Sequence, residues 1–248
     1  MFIDTHCHLS IEDYDDIDKV VKEDIEAGVK KLIVSACTKN TFEEALALAK
    51  KYDSIYVTLG FHPSEVDTTD ADLELLEELL KTDKVVGVGE IGLDYHYGKD
   101  DIDMQKELFE KQLVIAEKLN LPVVIHSRDA VNDTIETLKK HNVKGVIHCF
   151  SGSVETADIY IKLGYKLGIG GVVTFKNSNL YKVVEHVGLD NIVLETDAPY
   201  LAPEPFRGKQ NSSKYIPVIA TKIADILNVS LSEVEEKTTK TASNLFDL

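Results

Sequence analysis

The feature that most constrains this sequence is an alternation of short apolar runs with amphipathic stretches. Eight runs have the length of β-strands and lie near residues 2–8, 32–37, 55–61, 85–92, 122–127, 145–150, 166–173 and 191–196. Helical periodicity separates them, most clearly at 71–80 and 107–119. Strands that alternate with helices pair in parallel, because each helical crossover covers the sheet. Eight such units in 248 residues predict a (β/α)8 TIM barrel, with an open doubly wound sheet as the rival fold.

Composition indicates one domain over residues 1–248. No linker rich in Pro, Gly or Ser, no short repeat and no change in composition marks a boundary. The first residues do not resemble a signal peptide, and no run approaches the ~18 apolar residues of a membrane span. Three cysteines without C-x-x-C spacing are typical of reduced thiols. We therefore expect a cytoplasmic protein that does not bind membranes.

The chain is strongly acidic, which limits how it can bind a polyanion. Asp and Glu number 43 against 27 Lys and Arg, a formal net charge of −16. Broad binding to duplex DNA or RNA draws its affinity from clustered Lys and Arg, and the sequence shows no such cluster. A nucleic acid substrate must therefore be held locally, at the active site.

Five of the apolar runs end in side chains that bind metal ions. In the first run His6 and His8 project to the same face while Cys7 points away, because alternate residues of a strand share a face. The others stand at the ends of runs four, five, six and eight: Glu90, His126, His148 and Asp197. Strand ends meet at one mouth of a barrel, where catalytic residues gather. Imidazole and carboxylate groups that converge there predict a site for one or two divalent cations.

Each of these residues also has a purely structural interpretation. A lone histidine such as His126 or His148 is more often hydrogen-bonded in a core than bound to metal. Asp197 can cap the turn before Pro199. Glu90 follows an apolar run, where a buried charge needs a cation, a hydrogen-bond network or solvent. Together, the structural interpretations would require five coincidences at one end of one fold. The metal site is therefore the favoured interpretation.

The segment 87–92 fits the G-x-G-x-x-G pattern of dinucleotide-binding enzymes. That fingerprint follows a strand and opens a helix, whereas these glycines lie within a strand-like run. Glu90 also stands where the phosphate would approach. We therefore expect no nucleotide cofactor.

Three further residues are candidate substrate contacts. His62 follows the third run and His96 follows the fourth, and each is equally consistent with a structural role in a loop. Arg207 follows the eighth run, so its guanidinium can reach an anionic group of the substrate over the metals. A surface arginine is the alternative interpretation.

Six ordered motifs together resemble the TatD family of metal-dependent deoxyribonucleases. They are Asp-Thr-His-Cys-His at 4–8, Gly-Phe-His-Pro at 60–63, Gly-Glu-Ile-Gly-Leu-Asp-Tyr at 89–95, His-Ser-Arg at 126–128, His-Cys-Phe-Ser-Gly at 148–152 and Glu-Thr-Asp-Ala-Pro-Tyr-Leu at 195–201. The match spans almost the whole chain and is specific for the family, not for the substrate. It implies a TIM barrel of the amidohydrolase type, two metal ions and removal of nucleotides from DNA ends.

The resemblance also assigns roles to individual residues. It implies one metal on His6, His8 and Asp197, a second on His126 and His148, and Glu90 bridging both. Arg207 matches an Arg-Gly-Lys segment that meets phosphate. The chain departs from the family pattern at Ser10, where an acid is common, and at 211–213, where Asn-Ser-Ser replaces Asn-x-Pro.

The sequence thus predicts a two-metal hydrolase, most simply a deoxyribonuclease. A hydroxide held between the cations would attack the phosphodiester, with Asp197 accepting its proton and Glu90 setting the spacing of the metals. Mg²⁺, Mn²⁺ and Zn²⁺ all suit these ligands. Two alternatives stay open: a metal-dependent ester or amide hydrolase, for example an aminoacyl-ester deacylase, and a metal-binding protein without catalysis.

Overall fold

A computed structural model describes residues 1–96, 98 and 100–248, and its centre is one sheet of eight parallel strands. Each strand pairs with the next along the chain. The strands are β1 (Phe2–Cys7), β2 (Val29–Ala36), β3 (Ile55–Leu59), β4 (Val85–Asp94), β5 (Val123–Arg128), β6 (Gly145–Ile147), β7 (Tyr165–Ile169) and β8 (Ile192–Leu194). The chain after β8 returns to β1, where Cys7 pairs with Ala198. The predicted TIM barrel is confirmed.

Helices alternate with these strands. Within the described residues they are α1 (Ile17–Glu26), α2 (Lys39–Lys51), α3 (Asp70–Leu79), α4 (Ile102–Leu119), α5 (Val131–Leu138), α6 (Val154–Lys162), α7 (Leu180–Val187), α8 (Ile216–Leu227) and α9 (Leu231–Phe246). The last helix begins after Ser230, whose hydroxyl accepts a hydrogen bond from Glu233 N at 3.1 Å. None of the helices described is long and apolar enough to cross a bilayer.

Several strands end earlier than the apolar runs predict, and β7 ends at Ile169 instead of residue 173. β6 and β8 have three residues each, although His148 N still donates to the Ile125 carbonyl at 3.0 Å and Glu195 N to the Ile169 carbonyl at 3.3 Å. Cys149 and Asp197 then adopt positive φ values of 48° and 56°, which a strand does not allow. The apolar pattern continues beyond β6 because Phe150 remains buried. Such a pattern reports burial, and it does not report where backbone pairing stops.

The inside of the barrel changes from apolar to polar along the strands. A small apolar cluster contains inward-facing residues of five strands: Ile3, Ile33, Val124, Val146 and Val193. α9 adds Ala242 and Phe246 to this cluster. Two residues further along the chain, the same strand face carries Ser35, His126, His148 and Glu195. The apolar layer closes one end of the barrel, so the polar layer gathers at the carboxyl ends of the strands.

Candidate metal centre

The Glu90 carboxylate lies between two pairs of histidines. Its Oε1 is 2.6 Å from His126 Nδ1 and 3.1 Å from His148 Nε2. Its Oε2 is 3.6 Å from His6 Nε2 and 3.9 Å from His8 Nε2. Each carboxylate oxygen therefore faces one pair, as the predicted bridging role requires.

Asp197 lies on the side of the first pair. Its Oδ1 is 3.5 Å from His8 Nε2 and 3.6 Å from His6 Nε2, and these two ring nitrogens are 3.3 Å apart. The Asp197 backbone N–H donates to the His6 carbonyl at 3.0 Å, which fixes the residue against β1. The structure thus brings Asp197 together with His6 and His8.

The donor atoms fit two cations that share one ligand. Potential ligand atoms of His6, His8 and Glu90 all lie within 4.8 Å of one another, and those of Glu90, His126 and His148 do so as well. Nitrogen and carboxylate donors suit Zn²⁺ and Mn²⁺, and carboxylates also accept Mg²⁺. His8 Nδ1 lies 3.1 Å from the Ser35 carbonyl, so a proton held there leaves Nε2 free for a cation.

Charge at the centre is strongly coupled. Glu90 is only 4% exposed, and burial opposes its ionisation, yet His148 and His126 hold its pKa well below the usual value. Burial likewise disfavours a charged His126, but hydrogen bonds to Asp94 and Glu90 raise its pKa to about 8. In His6, burial and the nearby His148 lower the pKa well below the usual value. The carboxylates therefore favour positive charge on histidines that the protein largely buries.

A cavity of about 650 Å³ opens from the metal centre, and His62 lines it. The His62 ring centroid lies 4.7 Å from that of His126. His62 Nδ1 accepts a hydrogen bond from Ser64 N at 3.1 Å. Burial lowers the pKa of His62 to about 4, so the ring is neutral at pH 7 and carries its proton on Nε2.

The other two predicted substrate contacts lie elsewhere. His96 is exposed, its Nδ1 is 3.1 Å from Asp129 Oδ2, and it is not among the described residues that line the metal cavity. Arg207 lines a neighbouring cavity of about 690 Å³, where its guanidinium carbon lies 4.3 Å from the Phe175 ring centroid. The structure therefore places Arg207 beside the metal cavity, whereas the sequence suggested a position over the metals.

Four residues near the centre were missed by the sequence analysis. Arg128 lines the metal cavity two residues beyond His126, and Cys37 Sγ is 3.6 Å from Glu90 Oε2. The remaining two are Asp94 and Glu195, which contact the histidines of the second pair. All four continue the alternation of an inward-facing strand position, so the period of two marks them as inward-facing but does not show which side chain each one contacts.

The fold and these side chains define a class: (β/α)8 barrels whose mouth carries histidines and carboxylates that could hold metal ions. A family model described as TatD related DNase matches residues 3–247. The chain belongs to this family, which confirms the resemblance seen in its motifs.

Relatives of known sequence agree with this assignment. YabD of Bacillus subtilis, described as an uncharacterized metal-dependent hydrolase, is 40% identical over 252 residues and covers 99% of both chains. YjjV of Escherichia coli carries the same description and is 34% identical over 254 residues, covering 100% of this chain and 98% of its own. The protein is thus a member of a family of metal-dependent hydrolases.

Solved structures give the same result for the fold. The crystal structure of YjjV, a TatD homologue from Escherichia coli, matches with a TM-score of 0.92 at 33% identity and covers 100% of this chain and 98% of that one. A TatD family hydrolase from Entamoeba histolytica matches with a TM-score of 0.89 at 24% identity, covering 99% and 97%, and shares the fold.

Because Glu90 faces both histidine pairs, its substitution should lower the metal content of the protein. Glu90→Gln keeps the shape of the side chain but removes the negative charge that faces both histidine pairs. Loss of even an outer partner of a metal ligand costs roughly tenfold or more in affinity, so loss of this charge should weaken both cations at least that much. Elemental analysis after dialysis and calorimetric titration measure the change.

The matched control is Glu136→Gln, which removes an exposed carboxylate paired with Lys139 at 2.7 Å. Its metal content should equal that of the wild type. A Glu90→Gln protein that retains wild-type stoichiometry and affinity would contradict the bridging role.

Proposed function

We propose that this protein is a two-metal hydrolase that cleaves phosphodiester bonds at DNA ends. The observation that supports it best is the Glu90 carboxylate, whose two oxygens face separate histidine pairs at the base of an open cavity. Two cations bound there supply a water of lowered pKa and offset the charge of a phosphoryl group. His6, His8 and Asp197 would hold one cation, His126 and His148 the other, and Glu90 both.

Asp197 is the proposed proton acceptor. Its side chain is 17% exposed, so a carboxylate oxygen reaches the cavity while Oδ1 faces His6 and His8. A carboxylate in this position takes the proton of the attacking water and orients that water towards phosphorus. The hydrogen bond from Asp197 N to the His6 carbonyl keeps the carboxylate from moving away.

His62 is the proposed donor to the phosphoryl group. Because Ser64 N occupies its Nδ1, the neutral ring presents Nε2–H, a donor that does not compete for the cations. Donors that are fixed before the reaction stabilise charge that develops in the transition state. His96 is exposed beside Asp129, so contact with it requires a substrate that extends beyond the metal cavity.

Charges around the mouth favour one path for a polyanion. Three acidic residues, Glu12, Asp13 and Glu44, line the cavity on the side of the β1 and β2 loops. Arg128 lines it from the end of β5, and Arg207 lines the adjacent cavity together with Lys176. Repulsion from the acidic side directs a DNA strand across the side of β5 to β8.

A metal-dependent ester or amide hydrolase is the second candidate. The acidic residues that line the metal cavity favour a small neutral or cationic substrate, such as an aminoacyl ester, over a polyanion. Among the described lining residues, Arg128 is the one permanent cation. The two candidates differ in whether activity requires a phosphate.

Removal and return of metal test the proposed function. Protein stripped with a chelator should not release nucleotides, and Mg²⁺, Mn²⁺ or Zn²⁺ should restore release from an unblocked DNA end. The assay uses single-stranded and duplex DNA blocked at the 3′ or the 5′ end, matched RNA, and an aminoacyl ester. Turnover of the ester alone supports the second candidate, and bound metal without any turnover indicates a non-catalytic protein.

Substitution of Asp197 tests proton transfer separately from metal binding. Asp197→Asn keeps the shape and one carbonyl oxygen but accepts no proton at neutral pH, so kcat should fall by roughly a hundredfold or more. The control Asp225→Asn makes the same change on the exposed face of α8. Both are measured at saturating metal, and near wild-type kcat in Asp197→Asn would reduce this residue to a ligand.

Substitution of Arg207 should affect a long substrate and a short one differently. Because it lines the adjacent cavity, Arg207→Ala should raise KM for an oligonucleotide roughly tenfold, as loss of one charge-assisted contact costs about 1.5–3 kcal/mol. Turnover of a dinucleotide should not change. Arg128→Ala should impair both substrates, and equal losses for long and short substrates in Arg207→Ala would place Arg207 at the scissile phosphate instead.

A further inference from the structure

His126 has a carboxylate at each ring nitrogen. Nδ1 faces Glu90 at 2.6 Å, and Nε2 lies 3.0 Å from Asp94 Oδ2 on the opposite side. A neutral imidazole that offers Nδ1 to a cation carries its proton on Nε2. That proton is donated to Asp94, so the Asp94 carboxylate selects the form of His126 that can bind metal.

The Asp94 carboxylate is itself held rigidly. Oδ1 accepts a hydrogen bond from His96 N at 2.9 Å. The buried Gln105 side chain of α4 holds the Asp94 backbone: Oε1 accepts from Asp94 N and Nε2 donates to Asp94 O, both at 2.9 Å. Asp94 is 9% exposed, so solvent does not compete strongly for Oδ2. The His126 ring is thus oriented from α4 through Asp94.

His148 also has a carboxylate near its outer nitrogen, but Nδ1 makes no hydrogen bond in the described part of the chain. Nε2 faces Glu90 at 3.1 Å, and Nδ1 lies 3.5 Å from Oε1 of the fully buried Glu195. Glu195 Oε1 also accepts a hydrogen bond from Cys149 N. A Cβ atom on Gly168 would lie 2.0 Å from Glu195 Oε2, so the carboxylate occupies space that exists because β7 has no side chain there.

The first histidine pair is supported differently. His8 Nδ1 faces the neutral carbonyl of Ser35, and His6 Nδ1 is buried without a hydrogen-bond partner in the described part of the chain. A carboxylate that accepts the outer N–H makes an imidazole a more basic ligand than a carbonyl does. The two pairs therefore differ in outer partner, although both face Glu90.

We propose that Asp94 and Glu195 are positioning residues that strengthen the second cation site, formed by Glu90, His126 and His148. Asp94 accepts the Nε2–H of His126 and so fixes its tautomer, whereas Glu195 acts by charge, favouring a proton on His148 Nδ1 from 3.5 Å. Both carboxylates raise the basicity of the nitrogen that faces the cation. The inference rests on the metal ligation of the proposed function. Loss of either carboxylate should weaken only the second cation site, because neither carboxylate contacts the outer ring nitrogens of His6 or His8.

Ligand atoms of His62, Asp94 and His126 also lie within 4.8 Å of one another, which raises the alternative of a third cation. His126 cannot donate Nε2–H to Asp94 and bind a cation through that nitrogen at once. With Nδ1 directed at Glu90, the hydrogen bond to Asp94 is the favoured arrangement. The number of cations bound per protein molecule distinguishes a third cation site from the hydrogen bond between His126 and Asp94.

The test compares metal affinity in the full-length wild type, Asp94→Ala and Asp94→Asn. Zn²⁺ and Mn²⁺ are titrated in competition with a chelator. Asp94→Ala should weaken one of two cations by roughly 10- to 100-fold and leave the other within about twofold, the range for loss of an outer partner. Asp94→Asn should lose less, because its amide oxygen still accepts from His126 Nε2–H. Asp158→Ala, which breaks a 2.9 Å carboxylate contact with His186 on the surface, should change neither affinity.

Two further readouts do not depend on activity. Nitrogen-detected NMR of the Zn²⁺-loaded protein should show a His126 Nε2 proton that exchanges slowly with solvent in the wild type and in Asp94→Asn, and rapidly in Asp94→Ala. In the Co²⁺-substituted protein, Asp94→Ala should change the absorption bands of the weakened site and leave those of the other site unchanged. Circular dichroism establishes that each variant is folded before titration.

His126→Ala separates failure of this inference from failure of the proposed ligation. Loss of one cation in His126→Ala, with unchanged affinities and unchanged exchange of the His126 Nε2 proton in Asp94→Ala, overturns the positioning role and leaves the ligation intact. Retention of both cations in His126→Ala overturns the ligation itself. Three cations in the wild type, with loss of one in Asp94→Ala, would replace the positioning role by a third metal site.

Discussion

The structure depends on a buried negative charge at the mouth of the barrel. Glu90 is removed from water, and an isolated carboxylate in such a place would be costly. Four imidazoles from β1, β5 and β6 and the residues that follow them surround it, and their positions are fixed by the pairing of parallel strands. The charge is therefore compensated only when strands remote in sequence are in register. Fold and site are consequently formed by the same contacts.

The barrel supports this centre by separating two layers inside itself. Below, residues such as Val124, Val146 and Val193 pack with Phe246 of α9 and exclude water. Above, the next inward positions carry His126 and His148. A side chain two residues further along a strand needs no new backbone geometry, so a packed base and a reactive mouth arise from one alternating pattern.

Much of this arrangement can be predicted from sequence, and the failures have physical causes. Eight apolar runs and the ligands at their ends follow from local periodicity. The early ends of β6 and β8 do not, since Phe150 stays buried after the backbone has left the strand conformation at Cys149. Asp94 was missed because its partner, His126, belongs to another strand. The position of Arg207 beside Phe175 is set by loop conformation, which apolar patterns do not encode.

The chemistry and the choice of substrate are located in different parts of the molecule. Strand residues such as Glu90 and His126 form the candidate metal centre, and the buried Gln105 holds the backbone of Asp94 beside it. Charges that a substrate meets first, such as Glu12 and Arg207, lie on the loops that follow the strands. Loops tolerate change far better than a packed barrel does. Substrate range can therefore diverge within the family while the metal centre stays the same, and a shared centre does not by itself identify a shared substrate.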